Sequence, residues 1–324
     1  MILINNNMRE TRQIDLHLPR GWNDLTPGQL EEVSSVLTGQ AAVGNGNVNM
    51  EAVRTRLFFR LSGLDVKGPS IKGDSPGDTA IPVARKGAKE VFTLSVWQIH
   101  YWIEERMKWL DGPCTRLMFP YPFYTTGTWT GRRNYEGPAA LMQNFSYRQY
   151  RLSGEYLNWY VLEGNRLESM RKEMFSPKWR NQERVVRKAK GMFLATLFNR
   201  RHLYRDAETG RMKRGYRYVS TQSADNWRDF TSFPDVKFQC VLLWWSATML
   251  WLKKRYPKVF REEKPEKNLQ SNPLELYTRT TATMEKYLGM NEESVNRELY
   301  LNVLQHLQDM MDESDRMKEL ERKK

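Results

Sequence analysis

Apolar residues step by 3, 4, 4 and 3 through Val96, Ile99, Ile103, Met107 and Leu110 in "SVWQIHYWIEERMKWL". That spacing predicts one buried face of a helix, with Trp97, Tyr101 and Trp102 widening it. Met50, Val53, Leu57 and Leu61 follow the same rule and predict an earlier helix. Longer helical patterns run through "YRQYRLSGEYLNWYVLEGNRLESMRKEM", where Gly154 and Gly164 are the places for a bend, and through "WRNQERVVRKAKGMFLATLFNRR". The period changes twice. "LMFPYPFYTTGTWTGRRNYEGP", between Pro113 and Pro138, is aromatic, Thr-rich and divided by Gly, which favours a β-ribbon or ordered loop. "LYRDAETGRMKRGYRYV" reads as a hairpin turning at Glu208–Gly210. "KGPSIKGDSPGDTAIP" from Lys67 is loop or hairpin material, and "TGQAAVGNGNVN" a Gly/Asn loop after a short helix ending near Leu37.

Three helix starts share one local grammar, in "DLTPGQL", "TLSVWQI" and "NFSYRQY". Thr26, Ser95 and Ser146 can each accept from a first-turn N–H, and Gln29, Gln98 and Gln149 can each reach back to the N–H of the cap residue. Leu25/Leu30, Leu94/Ile99 and Phe145/Tyr150 sit at the spacing of a hydrophobic staple, and Pro27 is a favoured first-turn proline. A fourth start appears in "SNPLEL", with Asn272 as cap, Pro273 following and Glu275 closing the box. These are structural signals and carry no chemistry.

The fold class this predicts is mainly α: a multi-helix body with small β-ribbon or hairpin insertions and a C-terminal helical pair. The expected division places a helical body in residues 1–263, with β excursions near 113–138 and 203–219. A C-terminal helical unit follows in 264–324, beyond the link "EEKPEKNLQSNP". Its final helix is expected to start at Asn291. Its charged end, "MDESDRMKELERKK", with five acids and five bases, is expected to fray or to await a partner.

Composition narrows the class. With 27% charged and 40% hydrophobic residues over 324 positions, the chain has the material for a sizeable core. Cys114 and Cys240 form no CxxC and no disulfide framework, which suits a reducing compartment. "MILINNNMRETRQIDL" lacks the basic start and apolar run of a signal peptide, so a cytoplasmic location is the expectation. The 15 uncharged residues "FQCVLLWWSATMLWL" span about 22 Å as a helix against a bilayer core of roughly 30 Å. They predict a buried central helix, with an interfacial helix as the other reading and no membrane span.

The formal charge of +13 is concentrated. Between Arg166 and Arg217 lie 16 Lys and Arg against five Asp and Glu. Arg180, Arg184, Arg187, Lys188 and Lys190 fall on one candidate helix, Arg200 and Arg201 at its end, and Arg211, Lys213, Arg214 and Arg217 on the hairpin, with Tyr204, Tyr216 and Tyr218 among them. Bases interleaved with aromatics suit a surface that tracks phosphates and stacks nucleobases. They equally suit an acidic face of a protein partner, or solubility alone.

Recognisable catalytic patterns are absent from the sequence. His17, His100, His202 and His306 are scattered, with no HExxH and no Cys/His metal spacing, so no metal or cofactor is expected. His100 and Glu104 stand one helical turn apart, a spacing that reads as a surface ion pair before an acid/base pair. There is no GxxxxGK[ST], GxGxxG or GxSxG, and "VGNGN" reads as a loop.

Four blocks in order, "LPRGWNDLTPGQL", "NYEGPAALMQNFSYRQY", "CVLLWWSATMLWLKKRYPKVF" and "NPLELYTRTTATMEKYLGMNEESVNRELYLNVLQHLQDMM", resemble uncharacterised proteins from the tail-gene regions of phages and prophages of Bacteroidetes-type bacteria. The last block is also similar to the small helical unit of tail assembly chaperones, which hold tape-measure protein, although this chain is larger and more basic than those. The resemblance carries no catalytic residues. It implies a non-enzymatic tail assembly or minor structural factor working by protein contacts, with tail proteins such as the tape-measure protein as partners. The alternative from the residues themselves is a nucleic-acid-binding protein using segment 166–217.

Overall fold

Thr26 and Ser95 close their boxes as their spacing predicts. The Thr26 hydroxyl accepts the Gln29 N–H at 3.3 Å, and the Gln29 side chain accepts the Thr26 N–H at 3.0 Å. At Ser95 the two bonds measure 3.1 and 2.9 Å. At Ser146 only half of the box forms: the hydroxyl accepts the Gln149 N–H at 3.2 Å, but the Gln149 side chain points elsewhere.

These observations come from a computed structural model, which describes residues 2–6, 10–14, 16–43, 49–127, 131–205, 209–216, 218, 225–260, 282–286 and 289–323. The fourth start at Asn272 and the link near residue 264 lie outside the described residues. The chain is mainly α with small antiparallel sheets. It forms two units, residues 1–120 with 234–247, and residues 121–233 with 248–324.

In the first unit β1 (Ile2–Asn6) and β2 (Glu10–Ile14) form an antiparallel hairpin. Helix α1 (Pro27–Val43) continues past the expected end at Leu37, so the first half of the presumed Gly/Asn loop is helical. Helix α2 (Met50–Ser62) is capped by Asn49 and stops at Gly63, whose φ of 68° is the left-handed conformation that favours glycine. Val53, Leu57, Phe58 and Leu61 are buried along it, as are Leu30, Val33 and Val36 on α1.

The stretch expected to be loop or hairpin supplies part of a three-stranded antiparallel sheet in the order β3 (Leu64–Val66), β4 (Ala80–Arg85), β5 (Val91–Ser95). Helix α3 (Val96–Arg106) follows directly and buries Ile99, Trp102 and Ile103. Trp97 and Tyr101 do not widen this buried face. They stack on each other at 5.7 Å on the outside, Trp97 with 65% exposure. Arg116 is buried because its guanidinium donates to the carbonyls of Trp22 and Leu25, at 3.3 and 2.6 Å.

The Trp-rich stretch forms a helix over Asp235–Arg255. Phe238, Val241, Trp244 and Trp245 are buried on its first half; the Trp244 indole donates to the Leu117 carbonyl at 3.1 Å and meets Phe119 edge-on at 4.7 Å. No helix among the described residues is long and apolar enough to cross a membrane.

In the second unit the two β excursions join into one four-stranded sheet, β6 (Phe123–Thr126), β7 (Arg133–Glu136), β8 (Asn199–Arg205), β9 (Met212–Tyr216), all antiparallel neighbours in that order. The join is short: Tyr135 opposes Arg200 and Glu136 opposes Asn199. Tyr124 and Tyr135 pack against Phe198 and Phe230 on one face of this sheet. Asp229 fixes the turn that carries Phe230. It accepts from Arg133 at 2.9 Å and from the Tyr135 hydroxyl, while its carbonyl accepts from Thr126 at 3.3 Å. Burial, and then the Asp229 carboxylate, push the Tyr135 phenol well above its usual range.

Between the strands, α4 (Tyr147–Ser169) and α5 (Pro177–Leu197) form a helical hairpin; α4 runs through Gly154 and Gly164 without interruption. Gly191 on α5 has a steric reason, since a Cβ there would stand 2.6 Å from the Trp227 carbonyl oxygen.

The final helix does not run unbroken from Asn291. It divides into α7 (Glu292–Arg297) and α8 (Tyr300–Arg322), numbered after the Trp-rich helix as α6, and breaks at Glu298–Leu299. There the backbone pairs with another segment: the Tyr147 N–H donates to the Glu298 carbonyl at 2.7 Å, and the Tyr300 N–H to the Phe145 carbonyl at 3.0 Å. Tyr300 stacks on Tyr150 at 5.0 Å, and its hydroxyl reaches the Leu141 carbonyl at 2.7 Å. The charged tail is helical to Arg322, with Asp312 and Asp315 both bound to Lys258.

Candidate functional site

Helix α5 begins at Ser176, whose hydroxyl accepts the Trp179 N–H at 3.1 Å, with Pro177 in the first turn. From that start, 100° per residue brings Arg180, Arg184, Arg187 and Lys188 within an arc of about 100°. All four are exposed. Arg187 bonds Glu183 one turn back, and Lys188 lies over the Trp227 ring at 5.8 Å.

Lys190 breaks from the predicted basic surface. It is 7% exposed, and its ammonium donates to the Phe233 carbonyl at 2.7 Å. It is two positions beyond Lys188, about 200° around the helix, and so faces the interior. Arg200 is half-buried and reaches the Asn226 side chain at 3.5 Å, on the same sheet face as Tyr135. Arg201, Arg211, Lys213 and Arg214 are exposed, and Arg217 lies outside the described residues. The predicted cluster therefore divides into an exposed face of α5 and an exposed β8–β9 hairpin, with Lys190 and Arg200 turned to structural work.

Three apolar features escaped the sequence reading. The stacked Trp97 and Tyr101 are one. The second is the tip of the α4–α5 hairpin, where Met174 and Phe175 are exposed, Phe175 at 69%. Phe175 has a φ of 72°, a conformation that a bulky side chain disfavours, and its ring lies 6.1 Å from that of Trp179. The third is the outer face of the sheet, where Phe123, Leu203 and Met212 are exposed. The alternation in "NRRHLYR" was the available signal for this face.

Between Gly154 and Lys188 only Glu163 is buried. This half of the hairpin is held by a polar clasp: Glu163 accepts from Gln182 at 2.7 Å and from Arg166 at 2.7 Å. The Gln182 hydrogen bond, followed by Arg166, holds the Glu163 carboxyl below its ordinary range.

Elsewhere, Glu104 accepts from Arg54 at 3.5 Å. Burial pushes the Cys114 thiol up to about 11, which keeps it protonated and poorly nucleophilic at neutral pH. Among the described residues no three His, Cys, Asp or Glu side chains are grouped so that they could hold a metal ion. No protein-family model, curated protein or solved structure matches this chain.

Proposed function

We propose that this protein is a non-enzymatic assembly factor that works by protein–protein contact, in the building of a phage or prophage tail. The observation that carries this reading is the outer half of the α4–α5 hairpin. Two packed helices with almost nothing buried beyond their own seam end in an exposed Met174–Phe175 tip, beside the basic face of Arg180 and Arg184. Exposed aromatic side chains with arginines beside them are the composition of an interface centre. A strained Phe175 that is 69% exposed, with the Trp179 ring 6.1 Å away beside it, suits a side chain held ready to enter a pocket. The resemblance to tail-region proteins supplies the setting, with helical tail components such as the tape-measure protein as partners.

The test is complex formation with the tail proteins encoded beside its gene, the tape-measure protein first, followed by size-exclusion chromatography with light scattering. A complex of fixed stoichiometry is expected. Phe175→Ser combined with Arg180→Glu and Arg184→Glu should abolish it without moving the melting temperature, and excess duplex DNA should leave it intact. A complex that survives the triple change, or failure to bind any tail protein, would overturn the reading.

A further inference from the structure

We propose that the outer face of the β6–β9 sheet binds single-stranded nucleic acid, at a site separate from the hairpin tip. Register places the residues of that face. Phe123 opposes Glu136, Glu136 opposes Asn199, and Arg201 opposes Tyr216. Cross-strand partners share a side and alternate residues return to it, so Phe123, Arg201, Leu203, Arg205, Met212, Arg214 and Tyr216 stand on one face, opposite the core-facing Tyr124 and Tyr135. All of these but the half-buried Tyr216 are exposed, while Asn199 and Glu136, which share the face where β7 joins β8, are buried and half-buried.

The face is curled. Strands lie about 4.8 Å apart, so the edge strands of a flat four-stranded sheet are about 14 Å apart. The rings of Phe123 on β6 and Tyr216 on β9, the two edges, nevertheless approach to 6.5 Å. The sheet therefore bends toward this side and brings two aromatic rings together from its opposite edges.

Around those rings basic side chains outnumber acidic ones. Strands β8 and β9 contain no acidic residue, and the half-buried Glu136 on β7 is the carboxylate that shares the face. Arg205 is oriented by donating to the Gly210 carbonyl at 3.0 Å. Arg201 and Arg205, four residues apart on one strand, cover about 13 Å of its length, with Arg214 on the neighbouring strand.

A narrow curled sheet that offers ring faces flanked by arginines suits unpaired bases, which have π-faces to stack, and phosphates, which the guanidinium groups can track. A duplex has its base faces occupied and offers only its backbone to such a surface. An acidic peptide would satisfy the arginines and leave the rings unused.

The test is fluorescence anisotropy with a labelled oligothymidylate of about twenty nucleotides, followed across a salt series. Wild-type protein should bind it, and unlabelled duplex of equal length or polyglutamate should displace it poorly. Phe123→Ala and Tyr216→Leu should each weaken binding about fivefold or more and leave the salt slope unchanged, because stacking releases no counterions. Arg201→Ala and Arg214→Ala should each flatten the slope by about 0.7. Circular dichroism checks that the variants fold, and the exposure of Phe123 makes that change benign. Absence of binding, ring variants that bind like wild type, or displacement by duplex or polyglutamate as efficient as by the oligonucleotide would each overturn the proposal. None of these outcomes bears on the hairpin tip, which is tested separately.

Discussion

Gln149 turns its amide away from the Ser146 cap and donates it to the Thr196 carbonyl, 2.7 Å away, and to the Asn199 side chain at 3.2 Å. One side chain thus ties the first turn of α4 to the place where α5 ends and β8 begins. Gln98, at the equivalent position of a box with the same grammar, keeps its side-chain oxygen at its own helix start, where it accepts the Ser95 N–H at 2.9 Å.

That difference predicts unequal costs. Gln149→Ala leaves the buried Thr196 carbonyl and Asn199 amide without this partner and should cost about 1–3 kcal/mol. Gln98→Ala exposes a group that water can reach and should cost at most about 1 kcal/mol. Urea unfolding of the two variants measures the contrast, and equal losses would contradict the distinct roles.

Lys190 and Arg184 separate structural from surface cations in the same helix. Lys190→Ala should destabilise by about 1–3 kcal/mol, because the Phe233 carbonyl loses its buried donor. Arg184→Ala should stay within about 0.5 kcal/mol of wild type. Denaturant midpoints test this, and a Lys190 variant as stable as wild type would contradict the buried role.

Glu163 makes the outer half of the hairpin sensitive to acid. Its carboxyl is held below the ordinary glutamate range, first by Gln182 and then by Arg166. The folded form therefore favours the charged group. Its contribution is complete above the unfolded value near 4.3 and is lost as pH falls through the lower folded value. Hydrogen exchange in residues 156–186 should accelerate over that acidic window in wild type. Glu163→Gln should exchange faster at neutral pH and show a flatter acid response.

Lys258 anchors the tail of α8, donating to Asp312 at 2.6 Å and to Asp315 at 2.7 Å. The hydrogen bond from Lys258 lowers the Asp312 carboxyl, and that to Asp312 raises the Lys258 ammonium. The link should weaken as pH falls through the Asp312 value and again as pH rises through the Lys258 value. Salt should loosen it as well, since the groups are partly exposed. Lys258→Ala should raise amide exchange across residues 308–322 while leaving the start of α8 protected.

The local sequence determined where several helices begin. Thr26, Ser95 and Asn291 act as caps, and the apolar spacing along α2 and α3 marks faces that are largely buried, because capping and helical periodicity act within one or two turns. The mainly α class and the two β segments were legible for the same reason. Tertiary structure alone decided what lies tens of residues apart. It joined the two β segments through Tyr135 and Arg200, turned Gln149 into the core, and broke the last helix at Glu298, where backbone groups of Phe145 and Tyr147 offered partners. It also sorted the basic segment, since a lysine's charge is the same at Lys188 and Lys190 and the elements packed against α5, which bring the Phe233 carbonyl to Lys190, decide which of them is interior. The exposure of Phe123 and Phe175 follows the same rule: hydrophobicity is written in the residue, but burial depends on whether another element arrives to cover it.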